Sequence, residues 1–175
     1  MLCEIAMLNK QMVNGMQNEI LPKMILNWIA GQQVPAVGDA WFDKLNPADG
    51  RKLYRVAQSG GEDVRRAVDA ARCAQTEWSD TPPVQRGMLL HKVVEKMQAR
   101  HADIAYVVAL ETGKSYKEAF GETGGAIQLG LFYASEGQRL YGRTTTSGVP
   151  NKYAMTIRQP IGVAGLIIAA NTPIA

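Results

Sequence analysis

The sequence has few of the side chains from which metal centres and disulfides are built. Its 175 residues include two cysteines, Cys3 and Cys73, and two histidines, His91 and His101. None of the four has a spacing typical of a disulfide or a metal site, so we expect no metal. Isolated thiols fit a reducing compartment, which predicts a cytoplasmic protein. Cys73 is predicted to be a small core residue of an amphipathic helix.

Strong charge is also lacking. The formal net charge is +3, and the basic pair Arg65-Arg66 is flanked by acidic residues, which indicates a solvated helix face rather than a nucleic-acid site. The longest uncharged run, residues 159–175, is shorter than the roughly 20 apolar residues of a membrane helix and is broken by proline and glycine. We therefore expect no membrane partner. A hydrophobic content of 46% is ordinary for a soluble globular protein.

Residues 1–23 show no clear periodicity. They lack the basic start and apolar centre of a signal peptide, although methionine is frequent there. The pattern predicts a disordered extension or a weak helix.

Short strands are predicted next, at residues 25–30, 41–45 and 52–57. The turn chemistry of residues 46–50, Asn-Pro-Ala-Asp-Gly, separates the second strand from the third. Together the three segments predict a small antiparallel meander.

Four helices are predicted after Gly60. The first runs to about residue 78, and the second begins at an N-cap Thr81 with Pro82 at its first position and ends near residue 100. The third covers residues 102–110, and the fourth runs from a capping box at Ser115 to about residue 140. Five glycines along the fourth helix indicate close packing against another backbone: Gly121, Gly124, Gly125, Gly130 and Gly137. The side chains predicted to face inward from the second helix are Met88, Leu89, Val93 and Met97.

A hairpin is predicted after the helices. Residues 144–147 and 152–158 are β-prone and are joined by a turn at residues 148–151. Because an exposed pair of strands invites pairing with another chain, residues 141–159 are predicted to be an oligomerisation arm of a homo-oligomer, a dimer or tetramer.

The final uncharged run allows three interpretations: a membrane helix, a buried helix or a buried strand. Its length, glycines and prolines favour a parallel strand over residues 162–169, followed by a turn at residues 171–173. In open α/β sheets, ligands bind beyond the carboxyl ends of such strands, which is where Asn171 would lie. Taken alone, the local sequence favours an ordinary turn-forming role for Asn171, ahead of a proline.

The same run carries a family resemblance. Residues 158–173, Arg-Gln-Pro-Ile-Gly-Val, an apolar stretch and then Asn-Thr-Pro, resemble the aldehyde dehydrogenase segment R-x-P-x-G-V followed by P-W-N-x-P. Ala169 and Ala170 depart from that pattern, which has Pro and Trp there. Other motifs resemble the family in the same order, over about residues 26–175: the turn at 46–50, the Glu-Asp-Val helix start at 62–64, Arg86 ahead of two leucines, and Leu-Glu-Thr-Gly-Lys at 110–114.

The resemblance implies an α/β fold and a division of the chain. Residues 24–140 would form the first part of a cofactor-binding domain, residues 141–159 the arm, and residues 160–175 the first strand of a parallel dinucleotide-binding sheet. The implied activity is oxidation of an aldehyde to an acid with NAD or NADP, through a cysteine thiohemiacetal. Asn171 would be catalytic, as an oxyanion donor. The residues implied to bind the cofactor are Ile167, Ile168, Ala169, Ala170 and Asn171.

Part of the family's machinery has no counterpart in this sequence. Neither Cys3 nor Cys73 matches the position of the nucleophile, and the general-base Glu and the dinucleotide-binding loop of the family lie after the Asn motif. We therefore expect an amino-terminal fragment that is inactive alone. The alternative is a non-catalytic interaction module that pairs with full-length subunits.

Overall fold

The structure, a computed structural model, describes residues 20–174. Of the predicted extension at residues 1–23, residues 1–19 lie outside the described residues, and Cys3 is among them.

The described chain begins with two small sheets. One joins β1 (Met24–Ile25), β5 (Lys52–Ala57) and β4 (Trp41–Leu45) in that order, with β4 antiparallel and β1 parallel to β5. The other is the antiparallel hairpin of β2 (Asn27–Ile29) and β3 (Gln32–Val34). The strands predicted at residues 41–45 and 52–57 are confirmed.

The predicted meander is wrong in its first strand. Ala30 and Gly31 have φ angles of 52° and 76°, and this pair of left-handed residues closes a two-residue hairpin loop. Since the chain reverses there, Asn27 pairs with Val34 and does not extend β1. Only two residues are left to pair with β5, and they do so in parallel.

Between residues 61 and 136 the described chain forms four helices. They are α1 (Gly61–Asp80), α2 (Pro83–Ala99), α3 (His101–Thr112) and α4 (Tyr116–Glu136). The predicted start of the second helix is one residue early, because Pro82 is its N-cap and Pro83 its first residue. Thr81 instead closes α1, with its N–H donated to Glu77 and Trp78 carbonyls.

Helix α4 packs against both α2 and α3 and forms the centre of the helical layer. Val94 of α2 is only 1% exposed, whereas the predicted inward residues Met88, Leu89 and Val93 are 60%, 47% and 52% exposed. The prediction is wrong for these three residues, whereas the fourth, Met97, is half-buried. The face of α2 that packs on α4 is determined by a glycine. A Cβ on Gly130 of α4 would lie 2.5 Å from Val94 Cγ2, so only glycine lets this valine approach. The close packing predicted from the glycines is therefore present at this crossing.

A second cluster joins α3 to α4. Ala105 and Val108 of α3 and Ala119 of α4 are buried against one another, and Ile174 from the end of the described chain packs on them. The last turn of the chain is thereby attached to the helical layer.

Helix α1 packs mainly against β2 and buries little. Cys73 is a free, exposed cysteine, so its predicted place in the core is wrong. The reason is that α1 makes few contacts with other elements of the described chain, so side chains on more than one of its faces stay exposed, Val64 at 59% among them.

The predicted hairpin is present. Strands β6 (Thr144–Thr146) and β7 (Tyr153–Met155) pair antiparallel, with Thr145 opposite Ala154, and every residue of both strands is exposed. Its role in oligomerisation stays a prediction.

The buried strand predicted at residues 162–169 is not formed in this structure. The segment has no strand assignment, and Ile161, Leu166 and Ile167 are 95%, 84% and 99% exposed. A parallel strand needs neighbouring strands to bond its backbone and cover its faces, and none of the strands described here lies beside this segment. Among the described helices, none is both long and apolar enough to cross a bilayer.

Candidate functional site

The candidate site is the turn at residues 170–174, which contains Asn171. Asn171 is exposed, and its main-chain carbonyl accepts a hydrogen bond of 2.7 Å from Lys114 Nζ. Within residues 20–174 its side-chain amide makes no hydrogen bond. The turn is thus held through its backbone, which leaves the amide available to a ligand.

Lys114 owes its position to a sharp bend between two helices. Helix α3 ends at Gly113, whose φ of 76° is left-handed and whose N–H bonds to the Ala109 carbonyl at 2.9 Å. A Cβ on Gly113 would also lie 2.9 Å from Pro47 Cγ, so the bend sits directly against the turn at residues 46–50. Glycine meets both demands, the left-handed backbone and the close approach.

The start of α4 fixes the other side of Lys114. Ser115 Oγ accepts a 3.2 Å hydrogen bond from the Glu118 N–H, and the Glu118 carboxylate accepts one of 3.1 Å from the Ser115 N–H. The predicted capping box is confirmed. The hydrogen bond from the Ser115 hydroxyl, with that from its N–H, lowers the pKa of Glu118, so the carboxylate stays ionised at neutral pH.

Glu122, one turn further along α4, completes the site. Its Oε2 forms an ion pair with Lys114 Nζ, and its Oε1 accepts a 3.2 Å hydrogen bond from the Ile174 N–H. The side chains of Lys114 and Glu122 are 20% and 8% exposed. This pair is therefore far less hydrated than a surface ion pair, and its charge-assisted bonds are correspondingly stronger.

A cavity of about 290 Å³ lies beside the turn. Glu111 is its half-buried carboxylate, and burial raises the pKa of Glu111 while the nearby Lys44 charge acts in the opposite direction. Lys44 Nζ also donates a 2.9 Å hydrogen bond to the Glu111 carbonyl, which joins β4 to the end of α3. The cavity is mostly apolar, with walls formed by Ile20, Arg100, Asp103, Ile104, Val107, Val108, Pro173 and Ile174.

The residues predicted to bind the cofactor form a continuous exposed segment. Ile167 and Ile168 are 99% and 61% exposed, and Ala169 and Ala170 follow with small side chains. The segment is uncharged and its backbone belongs to no strand. Its role in cofactor binding stays a prediction. No group of three potential metal ligands occurs among residues 20–174.

Sequence reasoning missed the roles of Lys114 and Glu122. The Leu-Glu-Thr-Gly-Lys bend was identified as a motif, but nothing in one sequence links it to a turn 57 residues later. Lys114 precedes the N-cap of α4 and Glu122 lies on that helix, so their spacing of eight residues is not one from which a side-chain contact is predicted.

Comparison with known proteins adds a family assignment. The model of the aldehyde dehydrogenase family matches residues 34–175. Among curated proteins, alpha-ketoglutaric semialdehyde dehydrogenase of Bacillus subtilis is 37% identical over 86% of this chain and 31% of its own length. The NADP-dependent succinate-semialdehyde dehydrogenase of Escherichia coli is 35% identical over 84% of this chain and 30% of its own length.

Solved structures agree. The crystal structure of an E. coli NADP-dependent enzyme superposes with a TM-score of 0.83 at 32% identity, over 90% of this chain and 32% of that one. An aldehyde dehydrogenase from Brucella melitensis also gives 0.83, at 29% identity, over 89% and 32% of the two chains. This chain spans about a third of the length of the relatives that it matches, and corresponds to their amino-terminal part.

Proposed function

Because the chain belongs to the aldehyde dehydrogenase family, we propose that it forms the amino-terminal part of an enzyme that oxidises a semialdehyde to a carboxylic acid with NAD or NADP. The two curated relatives reported above support a semialdehyde as the substrate class, since each is named as a semialdehyde dehydrogenase. The overall change is aldehyde, oxidised nicotinamide and water to acid, reduced nicotinamide and a proton. A nicotinamide cofactor supplies the hydride acceptor when bound.

Asn171 is the residue of this chain proposed to act in the reaction. Attack of a thiolate on the aldehyde carbonyl turns the carbonyl oxygen into an oxyanion, and the Asn171 amide N–H would stabilise that charge. The observation that carries this proposal is the state of Asn171 itself: its main chain is held at 2.7 Å by Lys114 while its side-chain amide has no partner among the described residues. Such a fixed but unoccupied donor is what a developing charge requires.

The cofactor is proposed to lie along residues 167–170. Ile167 and Ile168 offer exposed apolar side chains, and the small Ala169 and Ala170 allow the ring to approach the backbone. Exclusion of water by these apolar residues would strengthen the hydrogen bond that Asn171 offers. The choice between NAD and NADP is left to the experiment.

The test uses the polypeptide encoded by the whole reading frame, beside the 175-residue chain. Formation of reduced nicotinamide is measured with succinate semialdehyde and alpha-ketoglutaric semialdehyde, each with NAD and with NADP. Asn171→Ala should lower kcat by about 10²- to 10³-fold, the usual cost of removing one oxyanion donor. Thr172→Ala, a neighbour in the same turn, should leave kcat nearly unchanged.

Two results would overturn the proposal. One is a wild-type polypeptide that reduces neither cofactor with either semialdehyde or with other aldehydes. The other is an Asn171→Ala variant with full kcat, which would show that Asn171 only forms the turn and does not stabilise the oxyanion. The 175-residue chain alone is proposed to be inactive, since Cys73 on α1 does not match the position of the nucleophile.

The alternative function, assembly with other subunits, is supported by a separate observation. Tyr153, Met155 and Ile157 on and beside β7 are 77%, 67% and 72% exposed, although all three are large and apolar. We propose that this arm mediates a homo-oligomer. The proposed compartment is the cytoplasm, in keeping with the free, exposed thiol of Cys73.

A further inference from the structure

We propose that Lys114 and Glu122 form a clamp that sets the main-chain position of Asn171, and that both are positioning residues for the oxidation. The inference rests on the proposed function in one respect, the role of Asn171. The clamp itself consists of contacts among residues 114, 122 and 171–174, whatever Asn171 does in the reaction.

The clamp holds the turn at two points. Lys114 Nζ donates to the Asn171 carbonyl at 2.7 Å, and Glu122 Oε1 accepts from the Ile174 N–H at 3.2 Å. The two side chains are joined to each other by their ion pair. The turn is therefore held at Asn171, near its start, and at Ile174, its last residue, by one connected unit.

Low exposure makes the clamp stiff. With Glu122 at 8% and Lys114 at 20% exposure, water competes poorly for either charge. Each charge is paired and also makes a bond to the main chain. Removal of one partner therefore leaves the other charge poorly compensated.

The base of the clamp is rigid as well. Lys114 stands between the left-handed end of α3 at Gly113 and the capped start of α4 at Ser115. Ile174 is fixed a second time by packing on the cluster of Ala105, Val108 and Ala119. Asn171, by contrast, makes one hydrogen bond among the described residues, the one from Lys114.

A shift of Asn171 matters because an oxyanion donor works over a narrow range. Donors must lie close to where the oxygen will be in the transition state, and a misplacement of about 1 Å can cost on the order of 10²-fold in rate. Lys114 and Glu122 would thus affect kcat through Asn171 without touching the substrate.

A double-mutant cycle in the polypeptide of the whole reading frame tests this role. Lys114→Met should lower kcat by about 10- to 100-fold with little change in KM, and Lys114→Arg, which keeps a donor, should recover part of it. In an Asn171→Ala background, Lys114→Met should have little further effect, because the residue through which it acts is gone. Lys117→Met, at an exposed lysine in the first turn of α4, is the matched control.

Amide hydrogen exchange in the 175-residue chain tests the clamp without any activity. Lys114→Met and Glu122→Met, each of which removes one side-chain partner of the clamp, should speed exchange of the Ile174 amide by about tenfold or more, and Lys117→Met should not. Protection of Ala105 and Val108 should be unchanged if the variants remain folded.

The outcomes separate the two proposals. If Asn171→Ala retains full kcat, the oxyanion role fails, and with it the catalytic part of this inference. If Asn171→Ala lowers kcat but Lys114→Met does not, or the two effects simply multiply, the inference alone is overturned. Unchanged Ile174 exchange in both clamp variants would overturn the clamp whatever the kinetics show.

Discussion

The ammonium group of Lys114 lies 2.7 Å from the main-chain carbonyl oxygen of Asn171. This contact joins the bend between α3 and α4 to the last turn of the described chain, 57 residues later. Two sequence motifs that are remote in the chain therefore meet at one point. The candidate site is built where they meet.

Burial of Val94 should contribute more to stability than burial of its neighbour. Val94→Ala should lower the free energy of unfolding by roughly 2 kcal/mol, because the 1% exposed side chain fills the crossing of α2 and α4. Val93→Ala makes the same chemical change at a 52% exposed position and should cost well under half as much. Urea unfolding of both variants of the 175-residue chain measures the difference. Equal losses of unfolding free energy in the two variants would show that α2 does not pack on α4 through the face that carries Val94.

Gly87 should resist replacement by alanine. A Cβ there would lie 2.4 Å from the Ala134 carbonyl oxygen, a backbone atom that cannot turn away. We expect Gly87→Ala to lower stability by roughly 1–3 kcal/mol, as overpacking does. Gly125→Ala is the matched control, since nothing lies within 4 Å of its Cβ, and it should raise stability by up to about 1 kcal/mol. Thermal melting distinguishes the two, and a gain at Gly87 would contradict the close crossing.

Asp63 should make stability depend on pH in the acid range. Its carboxylate accepts hydrogen bonds from the Gly60 N–H at 2.9 Å and the Val37 N–H at 3.0 Å. The Gly60 bond above all, with smaller help from Val37 and Arg66 and against the effect of burial, lowers the pKa of Asp63. A folded pKa below the unfolded value means that the stabilisation is present above the unfolded pKa, about 3.9, and is lost as pH falls through the folded pKa.

Urea unfolding from pH 6 to pH 2, values chosen to bracket that pKa, measures the effect. Asp63→Asn should be less stable near neutral pH and should lose less stability on acidification than the wild type. Asp69→Asn, at an exposed position of α1, should keep the wild-type acid dependence. A parallel loss in Asp63→Asn and wild type would show that this carboxylate is not the group responsible.

The arm should govern self-association. Met155→Lys places a charge among the exposed apolar residues of β7 and should weaken any oligomer, as judged by sedimentation velocity over a range of concentrations. Met88→Lys is the matched control, because Met88 is similarly exposed, at 60%, but lies on α2. An oligomer broken by Met88→Lys and not by Met155→Lys would move the interface to the helical layer.

Local signals in the sequence were enough to predict several elements of the fold. The capping box at Ser115, the turn at residues 46–50 and the alternation around β6 and β7 each depend on neighbours in the chain, and each is present in the structure. The order of the motifs was enough to indicate the family, which the comparison confirms.

Non-local packing was not predictable from one sequence. The burial of Val94 depends on a missing side chain at Gly130, and the pairing of β1 depends on the two left-handed residues that close the next hairpin. The apolar run at residues 162–169 has the composition of a strand, but a strand also needs partners, and the described chain offers it none. The partners of Asn171 were missed for the same reason, since contacts across 57 residues leave no periodicity.

Both contacts that hold the turn are made to its main chain, at the Asn171 carbonyl and the Ile174 N–H. The clamp thus places no direct demand on the side chains at positions 172 and 173, whereas the Ile174 side chain is also held by its packing on Ala105, Val108 and Ala119. Substitutions at those two positions are therefore expected to leave both contacts in place. Correlated substitutions between the two ends of this contact would be weak, and a search for co-varying pairs would overlook it.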